Sequence, residues 1–353
     1  MPEGHTVHRL AAAFERAFGG QRVRTSSPQG RFWEAVQLDG MVLLGAEAVG
    51  KHLFLPFAPA EDVDPAAPVV RHVHIHLGLY GSWTFAGDPG FADAHAIGAP
   101  RLRMGEQEEQ LDGAGGVDWR RLVPRPTVRL RIAGTRGLAD LTGPTACEIL
   151  DADGRQAVLD RLGPDPLRPD PERRERRRFV EAVQRSRTTI GALLMNQKIV
   201  AGIGNIYRAE LLFRARLDPL VPGKDLSTGM LEEMWEDLVA LMTYGARTGR
   251  IVTTQPEHRE IEARIIERSR GTRQNGDEDP DVVPREESFY VYHRQTLPCR
   301  LCSTIVRSAD LAARTVFWCP RCQSRRSRRA SWTREHPAAP WALAAEPPDG
   351  KAA

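Results

Sequence analysis

The chain has 353 residues, 41% hydrophobic and 27% charged with 7% aromatics, which excludes a wholly disordered polymer and suits two or three domains. No run approaches the roughly 18–20 apolar residues of a membrane span, and the Met-Pro-Glu-Gly-His-Thr start lacks the basic and apolar regions of a secretory signal, so a cytosolic protein is expected. Net charge is only +3, yet 45 of the 49 basic residues are arginine and four are lysine: Lys51, Lys198, Lys224 and Lys351. A GC-rich genome accounts for the bias. A lysine kept inside a motif then marks a need for a compact charge with three rotatable donors.

Residues 3–18 predict a helix, because Val7, Leu10, Ala11, Phe14 and Phe18 recur at helical spacing and Gly19-Gly20 ends the run. Strand character follows to residue 150, in runs such as 41–44, 52–57, 69–77 and 127–132. Together residues 2–152 predict a β-sandwich or barrel with one helix at its start. Within them, 86–121 reads as a long surface loop with at most one strand. Residues 153–171 read as a linker, by the Pro- and Asp-rich composition from Gly163 to Pro171. Helical patterning covers 172–186, 189–194 with Thr188 or Thr189 as N-cap, 206–213 and 226–243, giving a helical domain over 172–261. The polar stretch 262–287 predicts a disordered insertion. Residues 288–329 hold two cysteine pairs, and 330–353 predict a disordered tail. The fold class is therefore multidomain α+β.

Four of the five cysteines form the pattern Cys299-x2-Cys302-x16-Cys319-x2-Cys322. Two close thiolate pairs suit a tetrahedral zinc in a ribbon or β-hairpin finger, and four sulfurs leave no open position, so the metal would be structural. Cys147 lies outside the pattern and reads as a small buried hydrophobe. Eight arginines (300, 307, 314, 321, 325, 326, 328, 329) face one acid, Asp310, over residues 299–329. That excess fits either a phosphate-backbone partner or a solvated charge run.

The segment from Val200 to Tyr207 places Gly202 and Gly204 before a helix starting at Asn205. Such a turn either aims free N–H groups at an anion, with the Asn205 amide as a further donor, or is a plain packing turn. At the N-terminus, removal of Met1 would leave Pro2 with a secondary amine beside the Glu3 carboxylate. An amine can attack a carbonyl-like carbon, and a carboxyl can serve as acid and base. His72, His74 and His76 alternate along one strand, as a metal-binding face or a polar strand face. The run Arg173-Arg174-Glu175-Arg176-Arg177-Arg178 is either a DNA contact or a solvated helix face.

Taken in order, these pieces resemble the formamidopyrimidine-DNA glycosylase and endonuclease VIII family of DNA repair enzymes. The resemblance rests on Pro2-Glu3-Gly4, Gly50-Lys51-His52-Leu53, the stretch from Leu162 to Leu167, the stretch from Asn196 to Tyr207, and the cysteine quartet with Arg314. It covers about residues 2–325, apart from 86–121 and 262–287. It implies an N-terminal helix with a β-sandwich, a helix–two-turn–helix domain and a C-terminal β-hairpin zinc finger, with DNA in a basic cleft between the halves. It implies that Pro2 forms a Schiff base at C1′ of the damaged nucleotide, that Glu3 moves protons, and that Lys51 holds a phosphate near the lesion. Asn205 and Arg314 would clamp the flanking phosphates, with Lys198 a further DNA contact. One structural zinc, a damaged double- or single-stranded DNA partner, a monomeric state and a nucleoid location in the bacterial cytoplasm complete the expectation.

The stretch from His76 to Trp83 resembles the endonuclease VIII branch, where Leu79 and Tyr80 would wedge into the gap left by the flipped base. Otherwise the pair belongs to a strand core. Gly78 departs from the larger polar residue often found there. The Arg-x-Phe segment of the other branch is missing from 138–144, so the resemblance implies oxidised pyrimidines rather than 8-oxoguanine. The alternatives are a non-catalytic DNA-binding protein on the same scaffold, an 8-oxoguanine-type glycosylase, and a lyase acting mainly on abasic or single-stranded DNA.

Overall fold

The first helix, α1 (Gly4–Phe18), buries Val7, Leu10, Phe14 and Phe18, the stripe its spacing predicts. In the computed structural model, which describes residues 2–88, 91, 118–259 and 283–324 with the backbone of 101–104 and 109–110, that stripe enters a core supplied by two sheets. The strands are β1 (Gln21–Arg22), β2 (Arg24–Ser26), β3 (Val42–Leu43), β4 (Glu47–Val49), β5 (His52–Ala58), β6 (Arg71–His76) and β7 (Ser82–Gly87). They continue as β8 (Arg101–Met104), β9 (Glu109–Gln110), β10 (Val128–Ala133), β11 (Gly137–Thr142) and β12 (Ala146–Leu150). One antiparallel sheet runs β1-β3-β5-β6-β12 with β4 on β5; the other runs β2-β10-β11-β7-β8-β9. Leu53, Leu55, Val73 and Ile75 from the first face Trp83, Phe85, Leu130 and Leu141 from the second, with Phe14 wedged edge-on to Trp83 at 4.7 Å. A fully buried aromatic of this kind contributes about 2–3 kcal/mol through area removed from water.

Two predictions need correction here. The loop expected over 86–121 carries two strands, β8 and β9, since the outer edge of β7 offers unpaired backbone groups that β8 takes up from Trp83 to Ala86. The expected linker 153–171 begins as a helix, α2 (Ala152–Leu159). Asp151 caps it by accepting from Gly154 N–H at 2.8 Å, and Val158 and Leu159 pack on Val49 and Phe54. α2 thereby covers part of the outer face of β6 and β12, a layer that composition alone hides.

The chain divides into two compact units, Met1–Leu162 and Gly163–Ala353. The second holds α3 (Arg174–Gln184), α4 (Ile190–Leu193), α5 (Asn205–Arg214), α6 (Thr228–Thr248), and the hairpin β13 (Arg307–Leu311) and β14 (Arg314–Trp318). Thr189 stands at the N-cap position of α4. Arg214 on α5 and Asp237 on α6 form a bidentate ion pair at 2.7 Å, both side chains buried. The arginine run on α3 is largely committed: Arg176 pairs with Glu232 and Glu236, and Arg178 with Glu175. That favours the solvated-face alternative. The expected insertion 262–287 lies mostly outside the described residues, though Arg285–Glu287 form a 3-10 turn. The tail 330–353 and arginines 325, 326, 328 and 329 lie wholly outside them. Among the described residues no helix is long and apolar enough to cross a membrane.

Candidate functional site

Glu3 stands at the N-cap position of α1, 2% exposed, and its carbonyl accepts from Thr6 N–H at 3.0 Å. Pro2, also buried, precedes it. The Pro2 nitrogen and the Glu3 carboxylate thus sit at the positive end of a 15-residue helix dipole, which favours an anion there. α1 packs on β4 and β5. The two-residue turn joining those strands carries Lys51. Val49 pairs with His52, and Gly50 takes φ 59°, as the first position of a type II′ hairpin requires. Lys51 is 8% exposed at the hairpin tip.

Beside Lys51 the strand register assembles a chain that sequence reading missed. His52 on β5 faces His76, and His74 on β6 faces Glu148 on β12. His74 Nδ1 lies 2.8 Å from Glu148 Oε1, and His74 Nε2 lies 2.8 Å from His52 Nδ1. A carboxylate only accepts, so His74 donates from Nδ1. Neutral His74 then accepts at Nε2 from the His52 Nδ1–H, and His52 keeps its lone pair on Nε2. Burial, then His74, His76, Arg161 and Lys51, push the His52 pKa down to about 3. Burial also lowers His74 against the pull of Glu148, and lowers His76, with Lys51 adding to it. Among the described residues only the four cysteines group as metal ligands, which favours the polar-face alternative, with His74 linking His52 to Glu148.

The lowered histidines make stability pH-dependent. His5 and His52 are both held down to about 3, chiefly by burial, whereas an unfolded histidine titrates near 6.5. Between those values the unfolded chain binds more protons. Stability therefore falls as pH drops below about 6.5, by up to about 1.4 kcal/mol per pH unit for each such histidine. His52→Gln should flatten the acid fall of the urea midpoint between about pH 6 and 4. An unaltered slope would mean that His52 charges freely in the folded protein.

Leu79 and Tyr80 occupy the turn between β6 and β7, 43% and 83% exposed, so the strand-core alternative fails. Gly81 N–H closes this turn onto Leu77 O at 3.0 Å. Gly78 has φ 67°, and a Cβ there would lie 1.7 Å from Thr145 Oγ1. A larger residue at that position would collide, which gives the departure at Gly78 its physical reason.

In the second unit, Gln197 organises the motif before α5. Its Oε1 accepts from Gly202 N–H at 3.0 Å and its Nε2 donates to Ile203 O at 3.0 Å. The Gly202 N–H that the sequence suggested for an anion is thus already used. Lys198 is exposed in the same loop. Asn205 opens α5 and donates from Nδ2 to Thr315 O at 3.0 Å, next to Arg314, which is exposed on β14. Asn205 is thereby brought to the Arg314 strand, whereas Pro2, Glu3, Lys51, Leu79 and Tyr80 belong to the other unit.

The cysteine sulfurs fit a metal. Cys299–Cys322, Cys302–Cys319 and Cys302–Cys322 are separated by 3.9, 3.4 and 3.4 Å, and all four sulfurs lie within 4.8 Å of one another. Zinc–sulfur bonds of about 2.3 Å in a tetrahedron put sulfurs about 3.8 Å apart. The knuckle is tied down by Gln323, which accepts from Cys319 N–H and donates to Leu217 O. Cys299, Cys319 and Cys322 share a core with Ile206 and Phe213 of α5. Cys147 packs against the sandwich core, and burial pushes its thiol up to about 12, as expected of an inert residue.

Not every arginine of the finger is spare. Arg300 is bound to buried Glu287 at 2.7 Å and to the Phe289 carbonyl, so it leaves the basic set expected to meet phosphate. Glu210 on α5 is fully buried and accepts from the N–H groups of Tyr290, Val291 and Tyr292 at 2.8–2.9 Å. Thr253 N–H donates to Ser288 O at 2.9 Å, and Thr254 Oγ1 to Glu287 O at 2.6 Å, closing the chain on itself there.

Residues 1–122 match the formamidopyrimidine-DNA glycosylase N-terminal domain and residues 162–257 match its H2TH domain. The chain is 41% identical over 328 residues to Endonuclease 8 1 of Mycobacterium tuberculosis (strain ATCC 25618 / H37Rv), covering 92% of this chain and 100% of that protein. The chain belongs to the formamidopyrimidine-DNA glycosylase and endonuclease VIII family. Within this family it is also similar to the Probable endonuclease 8 2 of Streptomyces coelicolor, 27% identical over 92% of this chain and 94% of that one. Its fold matches that of Lactococcus lactis Fpg (MutM) in complex with an N7-benzyl-Fapy-dG DNA, with TM-score 0.62, 18% identity and coverage of 92% and 100%.

Proposed function

We propose that this DNA glycosylase and abasic-site lyase of base excision repair removes oxidised pyrimidines through a covalent Pro2 intermediate and cuts the strand by successive β- and δ-elimination. With Met1 removed, the Pro2 nitrogen attacks C1′ of the extruded nucleotide. The bond from C1′ to the base breaks, the base leaves with a proton, and an iminium joins Pro2 to the sugar. Glu3 gives a proton to the ring oxygen as the sugar opens and assists the later transfers. The iminium acidifies C2′. Loss of that proton expels the 3′ phosphate, loss of a second sugar proton expels the 5′ phosphate, and water releases Pro2.

Lys51 holds a phosphate near the lesion. Asn205 and Arg314 clamp the flanking phosphates, and Lys198 adds a backbone contact. Leu79 and Tyr80 fill the vacated stack, where apolar area recovers part of the lost stacking. One zinc, held by Cys299, Cys302, Cys319 and Cys322, would keep the hairpin folded. The observation that carries the reading is Pro2 and Glu3 at the buried head of α1, in a chain similar over 92% of its length to an Endonuclease 8. The exposed Leu79–Tyr80 turn, and the absence of an Arg-x-Phe segment from Leu138 to Pro144, support the pyrimidine preference.

Borohydride reduction tests it. The methionine-processed protein should form a stable adduct, mapped to Pro2, on an oligonucleotide with an abasic site and on a thymine-glycol duplex. Trapping on the abasic site alone would remove the pyrimidine preference. Binding without any adduct would make the chain a non-catalytic DNA-binding protein.

A further inference from the structure

The hairpin β13–β14 turns through Ala312 and Ala313, with φ 54° and 57°. Two residues bearing a Cβ in the left-handed region cost about 1 kcal/mol or more each, so this turn does not favour its own geometry. The β13–β14 pairing offsets that cost, and a side chain of α5 adds to that pairing. Arg208 is 0% exposed. Its Nη1 donates to Leu311 O at 3.0 Å and Gly191 O at 3.4 Å. Its Nη2 donates to Thr315 O at 3.0 Å, to Arg314 O at 3.3 Å, and to Asn205 Oδ1.

One guanidinium therefore fixes the backbone of Arg314 and the amide of Asn205 together. Because Oδ1 of Asn205 is taken by Arg208, its Nδ2 is the end turned to Thr315 O, and that group has a second proton to offer a phosphate oxygen. A lysine could not copy this, since its donors radiate from one atom while the guanidinium fork spans separate carbonyls. The side chain of Leu311 also lies against Gly191, so the hairpin has a second attachment when Arg208 is changed.

We propose that Arg208 is a positioning residue that makes Asn205 and Arg314 act as one preset clamp on DNA. The inference rests on the reading of those two residues as phosphate contacts. In such a clamp both contacts hang on one guanidinium, so loss of the Asn205 amide also removes an anchor of the group that holds the Arg314 strand, and the two contacts are coupled. Each single loss then removes its own contact and part of its partner's.

The test is a double-mutant cycle on the full, zinc-loaded chain, read as affinity for a duplex carrying a tetrahydrofuran abasic analogue. In the native background, Asn205→Ala and Arg314→Ala together should lose at least about fivefold less affinity than the product of the two single losses. With Arg208→Gln the losses should multiply to within about twofold, with one zinc per chain retained. Arg208→Lys, which keeps the charge, should behave like Arg208→Gln, and carries the comparison should the glutamine variant lose zinc. Unchanged coupling in the Arg208 variants would overturn the positioning role alone. Single variants that both bind like the native protein would overturn the phosphate reading, and the positioning role with it.

Discussion

Glu3→Gln and Pro2→Gly are expected to lower base release by about a thousandfold or more while leaving affinity for abasic-analogue DNA within about threefold. The two act on different parts of one step. Glutamine keeps the size and the N-cap position of Glu3 but carries no exchangeable carboxyl proton, so the sugar opens without its acid. Glycine keeps an amine but not the ring that fixes it at the head of α1. Its primary amine can still condense with an open abasic aldehyde, so trapping on abasic DNA should fall less than base release. The fold should tolerate both changes, because the α1 stripe of Val7, Leu10, Phe14 and Phe18 is untouched. Single-turnover base release from a thymine-glycol duplex is the readout. A double variant that keeps activity within about tenfold of the native protein would remove Pro2 and Glu3 from the chemistry.

Zinc extraction should be equally severe for a different reason. Four sulfurs within 4.8 Å of one another, 3.4–3.9 Å apart along three edges, cannot all remain thiolates without a cation among them. In small zinc domains the bound metal supplies about 10–16 kcal/mol of apparent binding free energy, which is also folding free energy. Here the cysteines share a core with Ile206 and Phe213, so loss of the metal should reach α5 and Asn205 as well as Arg314. A thiol-directed mercurial should release one zinc per chain, and DNA affinity should fall at least about tenfold at the same titration point. Release of the metal with unchanged affinity would separate the finger from DNA binding. Cys299→Ser should act in the same direction.

The parts of the fold that the sequence makes legible are those governed by neighbours along the chain. The α1 stripe, the cysteine spacing and the turn before Asn205 are local patterns, and each stands where it was expected. What escaped depends on register or tertiary company. The chain from Glu148 through His74 to His52 needs the pairing of β5, β6 and β12, which no spacing in β6 reveals. Helix α2 forms in a stretch whose neighbours are rich in proline because Asp151 caps it and Phe54 receives it. Arg208 could have been suspected, since i and i+3 share a helix face and Asn205 is three residues before it. Its carbonyl partners on the hairpin could not. Arg300 and the Gly202 N–H show the converse: groups that looked available to an anion are spent inside the fold.

The closure of Thr253 and Thr254 onto Glu287 and Ser288 has a consequence for how such chains can diverge. With Glu210 gathering Tyr290, Val291 and Tyr292 just beyond, the cysteine hairpin takes its bearings from α5 and from this neck. The entropy of closing a chain grows only with the logarithm of its length, about 0.6 kcal/mol for each doubling. Residues can accordingly be gained or lost there at little thermodynamic cost and without moving Arg314. The neck is a graft point, where chain length can drift while the cysteine hairpin keeps its bearings.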